Sequence, residues 1–192
     1  MAKISIEGAG NYSHHYPRTA TIVTVHAGGQ DNCMAVAWHT SISFNPPLFG
    51  VSIAPKRRTM ELIRQAGEFA VNFMPIEKAD LVAAVGGRSG KEVDKFERWH
   101  IEREQPLKTS SPVLKDAYAC YECRLVDERA YGDHIWVVGE IVAAHYEEDL
   151  FTEEQLIDLG RVSPALYMGA ENYAVPAKDN IRHLDRKEYG AR

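Results

Sequence analysis

The 192-residue sequence predicts a mainly β protein, a β-barrel with inserted short helices. Two observations carry this. Segments rich in β-branched and aromatic residues arrive in two groups, one ending at Pro75 and one beginning near Tyr118. The helical patterns between them are short and lack the regular strand–helix alternation of a doubly wound sheet.

The elements follow in order. Thr19 to Val25 reads as a strand, and Ala27 to Asn32, with two glycines and an Asx residue, as a turn. Cys33 to His39 completes a hairpin. Thr40 to Ser43 is expected to leave regular pairing, and Phe44-Asn-Pro-Pro47 stops it because proline has no amide to donate. Leu48 to Ala54 is a third strand. Thr59 opens a helix to about Ala66, stopped by Gly67. Glu68 to Met74 is a fourth strand, closed by Pro75. Residues 76–85 read as a second helix, 86–90 as a flexible link, and Lys91 to Trp99 as one or two helical turns. Pro106 to Pro112 is a loop. Two long strands lie within 118–146, separated by about Asp127 to Asp133. Thr152-Glu-Glu-Gln155 is a capping-box pattern for a helix ending near Gly160. Arg161 to Arg192 is loop-rich.

Length and composition suit one domain over residues 1–192, with about 174–192 as a C-terminal tail or an arm on a partner subunit. Hydrophobic residues are 45% and charged residues 26%, an ordinary globular balance. The net charge of -5, from 22 basic and 27 acidic residues, argues against a nucleic-acid partner. No apolar run approaches the ~20 residues of a membrane span. The first residues lack the apolar centre of a signal peptide, so the expected compartment is cytoplasmic. Three cysteines, an odd number, suit a reducing compartment. Cys120 and Cys123 have C-x-x-C spacing, but on a strand residues three apart face opposite ways. Adjacent His14 and His15 diverge without a third ligand nearby, so no metal site is expected.

Two neighbouring stretches could hold a ligand. Ala35, Val36, Ala37, Trp38, Thr40, Ser41 and Ile42 mix small, aromatic and hydroxyl side chains before the proline turn. A flat ring lying there can take hydrogen bonds from the backbone edge. Lys56, Arg57, Arg58 and Thr59 run straight into a helix start. A helix N-terminus offers free amides and partial positive charge, arginine adds donors suited to phosphate, and Thr59 supplies a hydroxyl or the cap. Each stretch also fits a bland reading, a core strand and a solvated basic turn. Together they suggest a phosphorylated planar cofactor.

Asn32-Cys-Met-Ala-Val-Ala-Trp38, Ser43-Phe-Asn-Pro-Pro47, Arg58-Thr59, Gly67-Glu-Phe-Ala-Val-Asn72, Gly132-Asp-His134 with Gly139-Glu-Ile141, and Pro164-Ala-Leu-Tyr-Met-Gly169 with Tyr173 occur in the order found in one family. The chain resembles the flavin reductase-like family of FMN-binding split barrels over roughly residues 17–173. The resemblance implies a Greek-key split barrel, a homodimer and non-covalent FMN. It places the isoalloxazine along residues 35–42 and the ribityl phosphate on Ser52 and Lys56 to Thr59. It puts His134 near the flavin face or the nicotinamide approach, where an imidazole can orient a co-substrate or hold a proton. The bulky Trp38 is similar to the flavoredoxin-like branch. The implied activity passes electrons from NADH or NADPH through FMN to free flavin, ferric iron or a protein acceptor. Two alternatives stay open: a flavoredoxin-like carrier reduced by an electron-transfer protein partner, and a non-enzymatic ligand-binding barrel.

Overall fold

A computed structural model describes residues 2–189. Its strands are β1 (Arg18–Thr19), β2 (Thr21–Ala27), β3 (Gln30–Val36), β4 (His39–Phe44), β5 (Pro47–Ile53), β6 (Glu68–Phe73), β7 (Arg103–Glu104), β8 (Val113–Leu114), β9 (Ala119–Tyr131), β10 (His134–Tyr146), β11 (Leu166–Gly169) and β12 (Asn172–Ala174). The helices among the described residues are α1 (Arg58–Ala66), α2 (Ala79–Gly86), α3 (Lys95–Arg98) and α4 (Arg186–Tyr189). None is long and apolar enough to cross a membrane.

Seven strands form one antiparallel sheet in the order β3-β2-β6-β9-β10-β5-β4. The sheet curls until the chain leaving β3 meets β5, where the Ser52 amide donates to the Trp38 carbonyl at 2.8 Å. Period-two alternation then makes an inside and an outside. Val23, Val25, Val36, Val51, Phe69 and Val71 face the barrel core, which α1 plugs with Met60, Leu62 and Ile63. Fully burying each such side chain contributes about 1.5–3 kcal/mol. Ile22 and Cys33 face the other way and pack under α2 and α3 with Met74, Val82 and Phe96. Thus β2 is buried on both faces, which explains its unbroken β-branched run. Cys120 and Cys123 diverge as expected, one beside Ala70 and Val113 and the other in the barrel core. Both are buried free thiols.

Several expected boundaries are corrected. The first turn is only Gly28-Gly29, at φ 59° and 75°, while Gln30 to Asn32 stay in the ladder. Two residues with positive φ match the twist of the flanking strands, so polar Gln30 and Asp31 need not turn. Thr40 to Ser43 remain paired with β5, and a bulge near Ile42 absorbs the irregularity. The second hairpin turns at Gly132-Asp133 alone, and Asp127 to Tyr131 continue β9. Their polarity marks a solvent-facing ribbon rather than a loop. The Thr152–Gln155 box forms no helix. Gln155 has φ 59°, the Thr152 amide bonds the Leu156 carbonyl at 2.8 Å, and the segment closes as turns. The β11–β12 hairpin leads up to the tail, and among the described residues beyond Ala174 the chain forms the short turn Lys178–Asn180 and α4.

Gly50 shows how tightly β5 packs against its neighbours. A Cβ there would overlap the Trp136 indole and lie 2.9 Å from Ile42 Cδ1. Overpacking of this kind typically costs about 1–3 kcal/mol. Gly50→Ala should therefore lower the urea midpoint with an unchanged m-value, and an unaltered midpoint would show that Trp136 moves aside freely.

Candidate functional site

The site begins where β5 runs into α1. Arg57 is the N-cap of α1, with extended backbone and no side-chain cap bond. Thr59 therefore lies one residue inside the helix rather than capping it. It is buried, and its hydroxyl accepts from Asn32 Nδ2 at 2.8 Å. Gly90 packs against the Asn32 carboxamide so closely that no Cβ fits. The link 86–90 thereby folds over the helix start and walls a cavity of about 240 Å³ with Lys56, Arg57 and Arg88.

The cations differ in freedom. Arg58 is engaged, donating to Glu61 Oε2 at 3.0 Å and to Gln30 Oε1 at 3.1 Å. Lys56 and Arg57 are exposed and make no side-chain bond among the described residues. A further cation on the same cavity wall, Lys95, has no precedent in the sequence reading. It is 4% exposed, and its Nζ donates to the Cys33 carbonyl at 2.8 Å and the Val85 carbonyl at 2.6 Å. Burial lowers its pKa, and the nearby Arg57 charge acts in the same direction. A buried ammonium without a carboxylate partner is costly unless an anion joins it. The donor set fits a phosphate.

From there the cavity opens along β3. Met34, Ala35 and Arg57 are shared with a groove of about 320 Å³ that continues past Val36 and Ala37 to Trp38, Ser52 and His134. The Val36 side chain points into the core, so here only backbone can face a ligand. Trp38 donates from Nε1 to the Tyr16 hydroxyl at 2.7 Å, and its ring lies 4.8 Å from that of His134. His134 Nδ1 bonds Asp133 Oδ1 at 2.7 Å, and this bond holds the Asp133 carboxyl below its usual range. His134 is thus both paired and on the groove wall.

Trp38, Ser52 and His134 also border an outer cavity of about 820 Å³, with Arg18, Tyr12 and Trp136. His39 stands there too. Its Nε2 donates to the Thr19 carbonyl at 2.8 Å, and burial lowers its pKa.

Ala35, Val36, Ala37, Trp38, Ser52, His134 and Lys56 to Thr59 are therefore brought to one continuous groove. Ser52 falls beside Trp38 and His134, away from the cation cavity. Thr40 borders the outer cavity. Ser41 and Ile42 border none of these three cavities and lie exposed on β4. Lys95 and Arg18 lie outside every stretch the sequence singles out, because nothing local distinguishes them from other charged residues; Asn32 opens a quoted motif, but its bond to Thr59 is visible only in the fold.

A barrel whose strand edge leads into a cation-lined pocket defines a class of protein suited to a planar ligand ending in a phosphate. Comparison with known proteins makes the class specific. Residues 13–174 match the flavin reductase like domain, and the chain belongs to that family. It is 36% identical to the FMN-binding protein from Thermus thermophilus solved with bound 1-cyclohex-2-enone, with a TM-score of 0.83 over 95% of this chain and 98% of that one. A flavoredoxin from Methanosarcina acetivorans is 28% identical, with a TM-score of 0.81 over 92% of each chain. An NADH-dependent FMN reductase from Streptomyces nodosus is 31% identical over 69% of this chain and 70% of its own. A protein from Shewanella frigidimarina described as having a split barrel domain is 23% identical, with a TM-score of 0.82 over 90% of this chain and 88% of that one, a likeness of fold.

Proposed function

We propose that this chain is an FMN-dependent oxidoreductase that takes electrons from NADH or NADPH and delivers them to free flavin, ferric iron or a protein acceptor. The observation that carries this reading is the continuity of the groove. The backbone edge of Ala35 to Trp38 leads directly to Arg57 and the buried Lys95. FMN, when bound, supplies the redox chemistry. The chain's residues bind and orient it. Lys95, Arg57, Lys56 and the first amides of α1 would hold the phosphate, and the β3 edge would present backbone donors and acceptors to the ring. Trp38 and Tyr16 would keep water from one side of the groove. His134, fixed by Asp133, would hold or pass a proton at its second ring nitrogen.

Homology supports the reading from both sides, through the Streptomyces reductase and the Thermus protein. A homodimer and a cytoplasmic setting complete the proposal. Protein purified with FMN should be yellow, and anaerobic NADH or NADPH should bleach the visible flavin absorbance. Flavin uptake without bleaching by either nicotinamide would remove the donor assignment. It would favour the flavoredoxin-like carrier, which the Methanosarcina similarity supports. A chain that takes up no FMN would end the proposal.

A further inference from the structure

The outer cavity contains a cation that the described residues leave unneutralised. Arg18 sits in β1, where its backbone pairs with Tyr167 of β11, so the sheet fixes its position. Its Nε is buried without a hydrogen-bond partner. Its guanidinium makes no ion pair among the described residues. Most buried donors in folded proteins are paired, and an orphaned one calls for an explanation. Asp133 is the one carboxylate among the residues bordering this cavity, and it is bonded to His134 with a side chain 94% exposed.

The rest of the wall is mainly aromatic, with His15, His39, His134 and the hydroxyl residues Thr40 and Ser52 as its polar groups. Trp38, Trp136, Tyr12 and Tyr131 surround a space of about 820 Å³ that adjoins the ring groove at Ser52 and His134. Apolar walls with a few convergent polar groups are the usual make-up of a small-molecule site. A guanidinium suits a carboxylate because its planar fork matches two oxygens at once.

We infer that Arg18 binds the carboxylate of a small planar acid held among these aromatic side chains, as the second ligand of the site. The inference rests on the flavin reading for the role of that ligand beside the ring. The presence of an anion subsite does not depend on it.

The test titrates the protein, with and without FMN, with 4-hydroxybenzoate, its neutral isostere 4-hydroxybenzamide, and inorganic phosphate, following tryptophan fluorescence from Trp38 and Trp136. The acid should bind at least about 10-fold more tightly than the amide, as expected for a hydrogen bond to a charged group. In Arg18→Gln that ratio should fall to within about 2-fold of unity, with the amide's own affinity unchanged. Arg18→Lys, which keeps the charge but not the fork, should give an intermediate ratio. Equal binding of acid and amide by the wild type overturns the inference, whether or not Arg18→Gln folds. So does a preference that survives in Arg18→Gln, binding of neither compound, or phosphate competing as well as the acid. Failure of the flavin reading looks different: no FMN uptake, with the acid preference intact.

Discussion

Glu122→Gln should destabilise the fold by about 3–5 kcal/mol, the usual cost of removing one partner from a buried ionic network. Glu122 lies on β9 and is fully buried. Its Oε1 accepts from the Leu107 amide and His145 Nε2, each at 2.6 Å. Its Oε2 accepts from the Lys108 amide at 2.9 Å, the Thr109 amide at 2.6 Å and the Thr109 hydroxyl at 2.8 Å. One carboxylate thus holds the loop before β8 against the sheet. A glutamine would turn an NH2 group toward these donors and leave several unsatisfied.

The same geometry sets a pH dependence. Burial alone would raise the carboxyl's pKa, but the His145, amide and hydroxyl bonds outweigh it and bring it from 4.5 to about 2. The folded value is the lower one, so the unfolded chain binds the proton more readily. The contribution is therefore complete above about pH 4.5 and is lost as pH falls toward 2. Urea midpoints should differ widely between wild type and Glu122→Gln at pH 7 and converge in acid. Equal midpoints at pH 7 would show that the loop does not depend on this carboxylate.

The second large effect concerns the ligand. Lys95→Met should weaken FMN binding by about 30-fold or more, the lower end expected when a buried charge pair loses one member. Riboflavin, which lacks the phosphate, should change by no more than about 2-fold. Arg57→Ala should act in the same direction with a smaller effect, because its side chain is exposed. Arg58→Ala should do least of the three, since Arg58 already serves Glu61 and Gln30. Fluorescence titration of both flavins with each variant separates the possibilities. Lys95 also serves the Val85 carbonyl in the last turn of α2. If that were its whole purpose, Lys95→Met would lower stability and weaken both flavins equally.

Much of the fold was legible because its causes are local. The β-branched run of β2, the paired glycines after it and Gly67 at the end of α1 each act through their own backbone preferences. The cations from Lys56 to Arg58 were visible as a cluster, as was the small-residue edge from Ala35 to Ala37. The differences share a physical cause. At Asp127 to Tyr131 and at Gln30 to Asn32, polar composition suggests a turn, yet the residues stay in the ladder. Pairing with a neighbouring strand holds both stretches extended, and that energy cannot be read from one segment. The box at Thr152 failed for a related reason. Its capping residues are present, but the segment buries little apolar surface that would hold a short helix.

The sequence alone determined the β character of the chain, the places where it reverses, and the neighbourhood of a small-residue strand edge and a basic helix start. Tertiary structure decided which cations matter. Lys95 meets the carbonyl of Cys33 across 62 positions of sequence, and Asn32 reaches Thr59 across 27. Arg18 becomes an orphaned donor only when β1 is laid beside β11. Burial and pairing set the energy of a charge, and both belong to residues that only folding brings together.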